Sequence, residues 1–585
     1  LLIINCSLFI VHCSLFIVNY TLIPIFNLEF RRIMPGYHRL SKSTFLKGHQ
    51  CQKALYLLKY HPEMIPEVTE QLQAIFDQGT DVGVLAQQLF PGGTDAGIYI
   101  PQNFGASLNL TKDLIAEGEK VIYEAGFSAK RMHCFVDILV KEGDAWQAYE
   151  VKSTTGVKEV HLWDAAFQYY VLTQAGVEVS GFSMIVLNTD YERVGELDIE
   201  QLFTIEPVLD RILPMQAEIE KQVGEFLQML DAGVEPDIDI GKHCHEPYEC
   251  EFIEHCWKHV PEHSVFEITN NRGKAWDLYE KGILEFKDIP EDFPLNGKQW
   301  QQVLAELKGE GHIDREAIRE FISRLNYPLY FLDFETFQAA VPMFDHARSY
   351  QQIPFQYSLH VLKEKGGEVE HKEFLAETGD KSQIPNPKFQ TNPKSQIPNS
   401  KPGDVNGQTR LEFPEEQEEI AEPQRSNTSI PDAQPVTRNP DPRTGFIKNL
   451  IADIGPEGDI VVFNRQFESM ILGQLTRDFP KYEEQLKPMQ ERLVDLMDPF
   501  RKREYYVPEM RGSYSIKKVL PALVPGFSYE DMDIADGGMA SMAFRNLYRE
   551  EDREVIENTR KNLLAYCKLD TLAMVEILRV LEEVR

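Results

Sequence analysis

The sequence predicts an α/β multidomain protein. Its 585 residues are more than one core organises, and ordinary domain size divides them into three or four units. Stretches that alternate like strands, at Arg131–Val140, Trp146–Ser153 and Tyr327–Phe337, are interspersed with helical periodicity such as Lys561–Val580. From about Glu377 to Arg443 the chain is rich in Pro, Asn, Gln, Ser and acidic residues, a composition that buries too little apolar surface to order itself. That stretch repeats KSQIPNP at Lys381–Pro387 as KSQIPNS at Lys394–Ser400.

Four segments follow from these breaks. Residues 37–261 run from a helical start through a strand-rich centre to a cysteine cluster. Residues 262–325 read as short amphipathic helices with turns at Pro290 and Pro294, a small helical connector. Residues 326–585 form the second large unit, interrupted by the low-complexity insert at about 377–443. Residues 1–33 stand apart. Leu1 to Leu28 carries no charged side chain, long enough for a membrane span, yet CSLFIV occurs at both Cys6–Val11 and Cys13–Val18. The first methionine is Met34. The expectation is a non-native extension before a start at Met34, with an anchor or signal segment as the alternative.

The net charge of −32 excludes a uniformly basic surface. It leaves room for a local groove where divalent cations meet phosphates. Eight cysteines, unevenly spaced, do not make a disulfide framework. Cys244, Cys250 and Cys256 cluster instead, as metal ligands do in a reducing, cytoplasmic compartment.

The first candidate site is a hairpin about the turn Glu142-Gly143-Asp144. Centred there, it sets Asp137 opposite Glu150, with Lys152 two residues on and so on the same face. Opposed carboxylates repel unless a cation lies between them. Mg²⁺ or Mn²⁺ held by Asp137 and Glu150, with Lys152 near the attacking water or phosphate, would satisfy the patch. A solvated face with a surface ion pair is the bland alternative. Gln168 and Tyr170 follow on a helix. The set D-x12-E-V-K followed by Q-x-Y resembles the PD-(D/E)xK nucleases, specifically the RecB-like branch. That resemblance implies a mixed-sheet nuclease fold in which Asp137, Glu150, Lys152 and Gln168 are catalytic. The branch often carries a metal-binding His in an upstream G-x3-H motif. Here GTDVG, Gly79–Gly83, has none.

Far upstream, Cys51 sits in SKSTFLKGHQCQKALYLLKY. One early cysteine and three late ones bracketing a D…ExK core resemble the iron–sulfur RecB-like nucleases, among them CRISPR-associated ones and AddB. The resemblance implies a [4Fe–4S] cluster on Cys51, Cys244, Cys250 and Cys256, stapling segments about 200 residues apart. Four thiolates also suit zinc, with His243, His245 and His255 nearby. Cys134 and Cys567 read as packed core thiols.

The second candidate site begins in YPLYFLDFETF, Tyr327–Phe337, where Asp333 and Glu335 share one face of an apolar strand. Two carboxylates there cost several kcal/mol if buried unpaired. In DIVVFNRQFESMIL, Asp459–Leu472, a strand ends near Asn464 and a helix begins, with Glu468 in its first turns. Tyr566 and Asp570 lie four apart on a helix, hence on one face. In the order DxE, N-x3-E, Y-x3-D, these residues resemble the DEDD exonucleases of the RNase H-like fold, tyrosine subtype. The resemblance implies two Mg²⁺ or Mn²⁺ ions about 4 Å apart on Asp333, Glu335, Glu468 and Asp570. Tyr566 would orient the attacking water. Glu468 stands where Asp is usual.

Arg501–Lys518, RKREYYVPEMRGSYSIKK, interleaves Arg501, Lys502, Arg503, Arg511, Lys517 and Lys518 with Tyr505, Tyr506 and Tyr514. Such a segment suits single-strand binding by phosphate contact and stacking, or is a solvated basic loop. From about Ser41 the whole arrangement resembles a bacterial family catalogued as domain of unknown function 2779. The expectation is a metal-dependent nuclease whose C-terminal half trims single-stranded nucleic acid from its 3′ end, DNA first and RNA as the alternative, with no membrane partner. The N-terminal half cuts as well or guides the strand. Two rivals stand beside this: a non-cutting N-terminal binding module, and a redox-sensing regulator with degenerate sites.

Overall fold

Two mixed sheets, one in each half, give the chain an α/β multidomain architecture. The computed structural model describes residues 38–99, 103–378, 441–527, 529 and 532–584. The expected extension at 1–33, and nearly all of the expected insert at about 377–443, lie outside these residues.

In the N-terminal half, helices α1 (Lys42–Gln50), α2 (Gln52–Tyr60) and α3 (Glu70–Ala86) precede β1 (Thr94–Asp95), α4 (Phe104–Glu117) and β2 (Val121–Ala129). Then come β3 (Met132–Glu142), β4 (Ala145–Val151), α5 (Glu159–Gln174), β5 (Val179–Leu187), β6 (Phe203–Pro207) and α6 (Gln216–Ala232). The six strands lie in chain order across the sheet. β3 and β4 form the hairpin, in register from Glu142↔Ala145 to Ile138↔Tyr149. Its two-residue turn needs a left-handed first position, which Gly143 supplies at φ 61°. α5 is the crossover that makes β5 parallel to β4. Phe45 of α1, Phe167 of α5 and Phe226 of α6 fill one core beneath the sheet with Phe182 and Met184. On another side, Tyr123, Ile138, Tyr149 and Ile185 meet Val82 and Ala86 of α3 and Ala340 of the C-terminal half.

The connector has a small core of its own, Val265, Ile268, Leu278, Phe286 and Val303, the last from α7 (Gly297–Lys308). Its strand β7 (His312–Ile313) pairs with a strand of the C-terminal half and so docks there.

The C-terminal half opens on β8 (Leu329–Phe337), β9 (Ile353–Leu362) and β10 (Val369–Leu375), an antiparallel meander. After α8 (Pro442–Asp453), β11 (Asp459–Val462) adds parallel to β8. α9 (Arg465–Asp478) then leads to β12 (Leu493–Asp495), parallel to β11. The order is β10-β9-β8-β11-β12. β13 (Tyr505–Tyr506), α10 (Ile516–Leu523), α11 (Gly537–Leu547) and α12 (Arg553–Glu583) complete the unit. Period two divides β8 between two cores. Tyr330, Leu332 and Phe334 pack with Phe446 of α8 and Ile471 of α9. Phe331 and Phe337 pack with Phe544 of α11 and Leu563, Met574 and Leu578 of α12. Asp333 and Glu335 therefore fall on the α12 face.

Among the described residues, no helix is long and apolar enough to cross a membrane.

Candidate functional site

In the N-terminal half, the hairpin ladder stops at Ile138↔Tyr149, where the acids begin. There the Asp137 carboxylate, rather than its backbone, reaches the next strand and accepts the Val151 amide at 2.7 Å. Glu150 is fully buried. Its Oε1 accepts from Lys152 Nζ at 2.7 Å and from Lys42 Nζ at 2.6 Å, and its Oε2 from Gln168 Nε2 at 2.7 Å. Asp164 completes the ring, accepting from Lys152 at 2.6 Å and from Gln168 at 2.9 Å. Asp137, Glu150, Lys152 and Gln168 are thus brought together. Burial and the Glu150 charge push the Asp137 carboxyl well up. Burial pulls Lys152 down, but Asp164 and Glu150 outweigh it and its ammonium is held charged. Asp164 is in turn held well below the carboxylate range, because Lys152 and Lys42 outweigh its burial.

Sequence reasoning missed Lys42 and Asp164. Lys42 stands 108 residues before Glu150, and no local spacing joins them. Asp164 lies one helical turn before Gln168, the signal that could have found it. The His-less Gly79–Gly83 stretch falls inside α3. A nearby buried histidine, His161, accepts the Lys158 amide and caps α5; burial, then Lys152, lowers its pKa to about 4.

The helix that carries Lys42 ends at Cys51, which caps both α1 and α2. Gln50 donates to the carbonyls of His243 and Tyr248 at 2.8 and 2.7 Å and so ties this corner to the late cysteine segment. There the Cys250 amide donates to the Cys244 carbonyl at 2.8 Å. Cys51, Cys250 and Cys256 pack around Phe252 and Leu57, and all four thiols are free. Burial raises the thiols of Cys51 and Cys256, with a further push from neighbouring cysteines, and raises Cys250 to about 11. The segments predicted to meet do meet.

In the C-terminal half, Asp333, Glu335, Glu468, Tyr566 and Asp570 line one cleft of about 410 Å³. β8 supplies the first two residues, beside an irregularity of register between Glu335 and Thr336 that re-aims the strand end. Glu468 comes from the first turns of α9, whose entry is set by Asn464 at φ 106° with its amide on Asp495 Oδ1 at 3.2 Å. Tyr566 and Asp570 come from one buried face of α12. The second tyrosine, Tyr529, was missed; its hydroxyl donates to Asp570 Oδ1 at 2.7 Å. Cys567, expected to be a core thiol, is fully buried, but its Sγ also lies 3.7 Å from Asp333 Oδ2. Asp333, Glu335 and Cys567 have donor atoms within 4.8 Å of one another.

Burial sets the electrostatics of this cleft. It raises Asp333 well above the carboxylate range, helped by the charges of Asp570, Glu335 and Glu468. It raises Glu335 likewise, with Asp570 adding and Lys517 opposing. Asp570 is pushed up to about 6 by burial, against hydrogen bonds from Tyr529 and Tyr566 and the charge of Lys517. Glu468 is pushed up to about 8 by burial, with Asp495 adding. Its Oε2 is buried without a hydrogen-bond partner. An acid whose pKa rises on folding stabilises the fold at low pH and loses that contribution as pH climbs to the folded value. Without metal, the protein is therefore expected to lose stability between about pH 4.5 and pH 8, the span of the Glu468 shift. Denaturant melts across this range would show the loss, and added Mn²⁺ should reverse it at the upper end. A flat metal-free profile would contradict the assignment.

Two of the three tyrosines of the basic stretch are not available for stacking. Tyr506 is fully buried and Tyr505 nearly so, because β13 pairs with β7. The Arg503 guanidinium lies buried over Tyr506 at 4.2 Å and donates to the Gly512 carbonyl at 2.6 Å. Arg501 and Lys502 pair with Asp498, and Arg511 with Glu262. Interleaved charge and aromatics here reflect a docking strand. Of this stretch, Lys517 and its neighbour Ile516 line the cleft, and Lys517 is its one basic residue there among the described residues.

A comparison with curated proteins finds no match. Residues 330–405 and 415–515 match the family model described as "Domain of unknown function (DUF2779)", a span that holds β8 apart from Leu329, β11 and Glu468, and this match supports the DUF2779 family.

Proposed function

We propose that the C-terminal cleft is a metal-dependent 3′–5′ exonuclease site for single-stranded nucleic acid, on a fold of the RNase H-like kind. The convergence of four carboxylates from three separated segments carries this reading. Four such groups repel strongly, and the buried, unpartnered Glu468 Oε2 fits a cation ligand better than a packing group. The strand order supports it: an antiparallel meander with two parallel strands added at β8. Asp333, Glu335, Glu468 and Asp570 would hold Mg²⁺ or Mn²⁺, which when bound supplies a nucleophilic hydroxide and neutralises phosphate charge. Tyr566, buried beside Asp570, keeps its hydroxyl protonated; its one proton goes to Asp570, and its oxygen can accept from water and so orient it.

The N-terminal half is read as a RecB-like PD-(D/E)xK unit with a four-thiolate group on Cys51, Cys244, Cys250 and Cys256. Four thiolates are the complement for a [4Fe–4S] cluster, with zinc as the alternative ion for the same four ligands. Whether this half cuts or only guides the strand turns on Glu150. Both lysines and Gln168 already satisfy its oxygens, which favours the non-cutting reading.

Lys152→Ala and Asp333→Ala separate these alternatives. If both halves cut, each single change leaves one activity on labelled strands and the double change leaves none. Under the guiding reading, Lys152→Ala protein trims at the wild-type rate. Trimming that survives Asp333→Ala in the Lys152→Ala background would refute the C-terminal assignment.

A further inference from the structure

Among the described residues lining the cleft, Lys517 is the sole Lys, Arg or His. It sits at the start of α10. Its Nζ donates to the Ala535 carbonyl at 2.7 Å and lies 5.8 Å from the Tyr529 ring and 5.9 Å from the Tyr566 ring. The two rings meet edge to face at 6.3 Å, and Tyr529 is anchored to Asp570. Among the described residues, the ammonium is thus positioned by a carbonyl and two aromatic faces. No carboxylate among the described residues lies within 4 Å of it, although Glu335 and Asp570 are near enough to feel its charge.

An ammonium has three protons to donate, and the Ala535 carbonyl uses one. A lysine whose purpose was to neutralise the acids would close onto one of them. This one is held short of them, beside the tyrosine proposed to orient water. The geometry points to Lys517 as the residue that binds a phosphate of the strand, placing it against the four carboxylates; this assignment rests on the nuclease reading of the cleft. Bound metal would neutralise the acids, and the lysine would then supply the charge that draws the phosphodiester in.

The test uses full-length protein carrying Lys152→Ala. A fluorescent single-stranded oligonucleotide with a phosphorothioate 3′ linkage is titrated in Ca²⁺ at several salt concentrations, and trimming of an unmodified strand is followed in Mn²⁺. Lys517→Ala is expected to weaken binding about tenfold. It should lower the slope of log affinity against log salt by about 0.7, the loss of one phosphate contact on a single strand. KM should rise more than kcat falls, and Lys517→Arg should restore both binding and slope. Stabilisation by Mn²⁺ should persist in all three proteins, since the carboxylates are untouched. Wild-type affinity and slope in Lys517→Ala would overturn the proposal while leaving the nuclease reading intact. So would loss of Mn²⁺ stabilisation without rescue by arginine, which would make Lys517 a structural counter-charge. Lys152→Ala protein that neither binds nor trims a strand would remove the nuclease reading, and this proposal with it.

Discussion

Asp333→Asn should lower 3′-end trimming by about a thousandfold or more and leave the fold standing. The expected loss is about 4 kcal/mol of transition-state stabilisation, the scale of removing a charged group aimed at the reacting centre. The residue lies on β8, the central strand of the sheet, so a change of shape there would be costly; Asn keeps the shape and removes the charge. Burial and three neighbouring acids already disfavour that charge. Without metal, the variant should therefore melt at a higher temperature than the parent. With Mn²⁺ the order should reverse, because the parent gains ligand stabilisation that the variant lacks. A crossing of melting temperatures on adding metal is a signature that simple misfolding would not produce. A variant that melts low under both conditions would mean that Asp333 serves packing.

Cys51→Ala should have the second largest effect, on stability. Cys51 lies at the joint between α1 and α2, and its proposed co-ligands lie about 200 residues away. Removing one ligand of a four-thiolate group should release the metal, and with it at least about 4 kcal/mol of folding free energy in the N-terminal half. Protein purified without oxygen should lose its iron and its brown colour. Because α1 carries Lys42 at one end and Cys51 at the other, the Lys42–Glu150 contact should loosen as well. Full stability and unchanged iron in Cys51→Ala protein would remove Cys51 from the ligand set. Stoichiometric zinc in the parent would replace the cluster and keep the site.

Much of both sites could be read from short-range rules. Period two placed Asp333 and Glu335 on one strand face, and the helical four-residue spacing placed Tyr566 and Asp570 together; the structure has both pairs so. The hairpin register followed from its Gly143 turn. What could not be read was brought in from a distance. Lys42 meets Glu150 because α1 packs across α5 through Phe45 and Phe167, whose rings stack at 4.7 Å. Tyr529 reaches Asp570 from 41 residues away. Neither contact leaves a local pattern. The basic, aromatic stretch, read as a strand-binding segment or a solvated loop, was ambiguous for another reason. Alternating Tyr and Arg satisfy a stacking surface and a buried docking strand equally well, and only the pairing of β13 with β7 decides between them. Cys567 was legible as a buried thiol, but its approach to Asp333 depends on how α12 crosses β8.

The C-terminal cleft is proposed to hydrolyse a strand from its 3′ end with bound metal. The most direct measurement digests 5′-labelled and 3′-labelled single strands, DNA and RNA, with Lys152→Ala protein while Mg²⁺ or Mn²⁺ is titrated. A 5′-labelled strand should shorten through a ladder of single nucleotides. A 3′-labelled strand should release its label at once as a mononucleotide. Both should require metal, and both should vanish when Asp333→Asn is added. Trimming at the undiminished rate by the Asp333→Asn protein, or label released first from the 5′ end, would contradict the account.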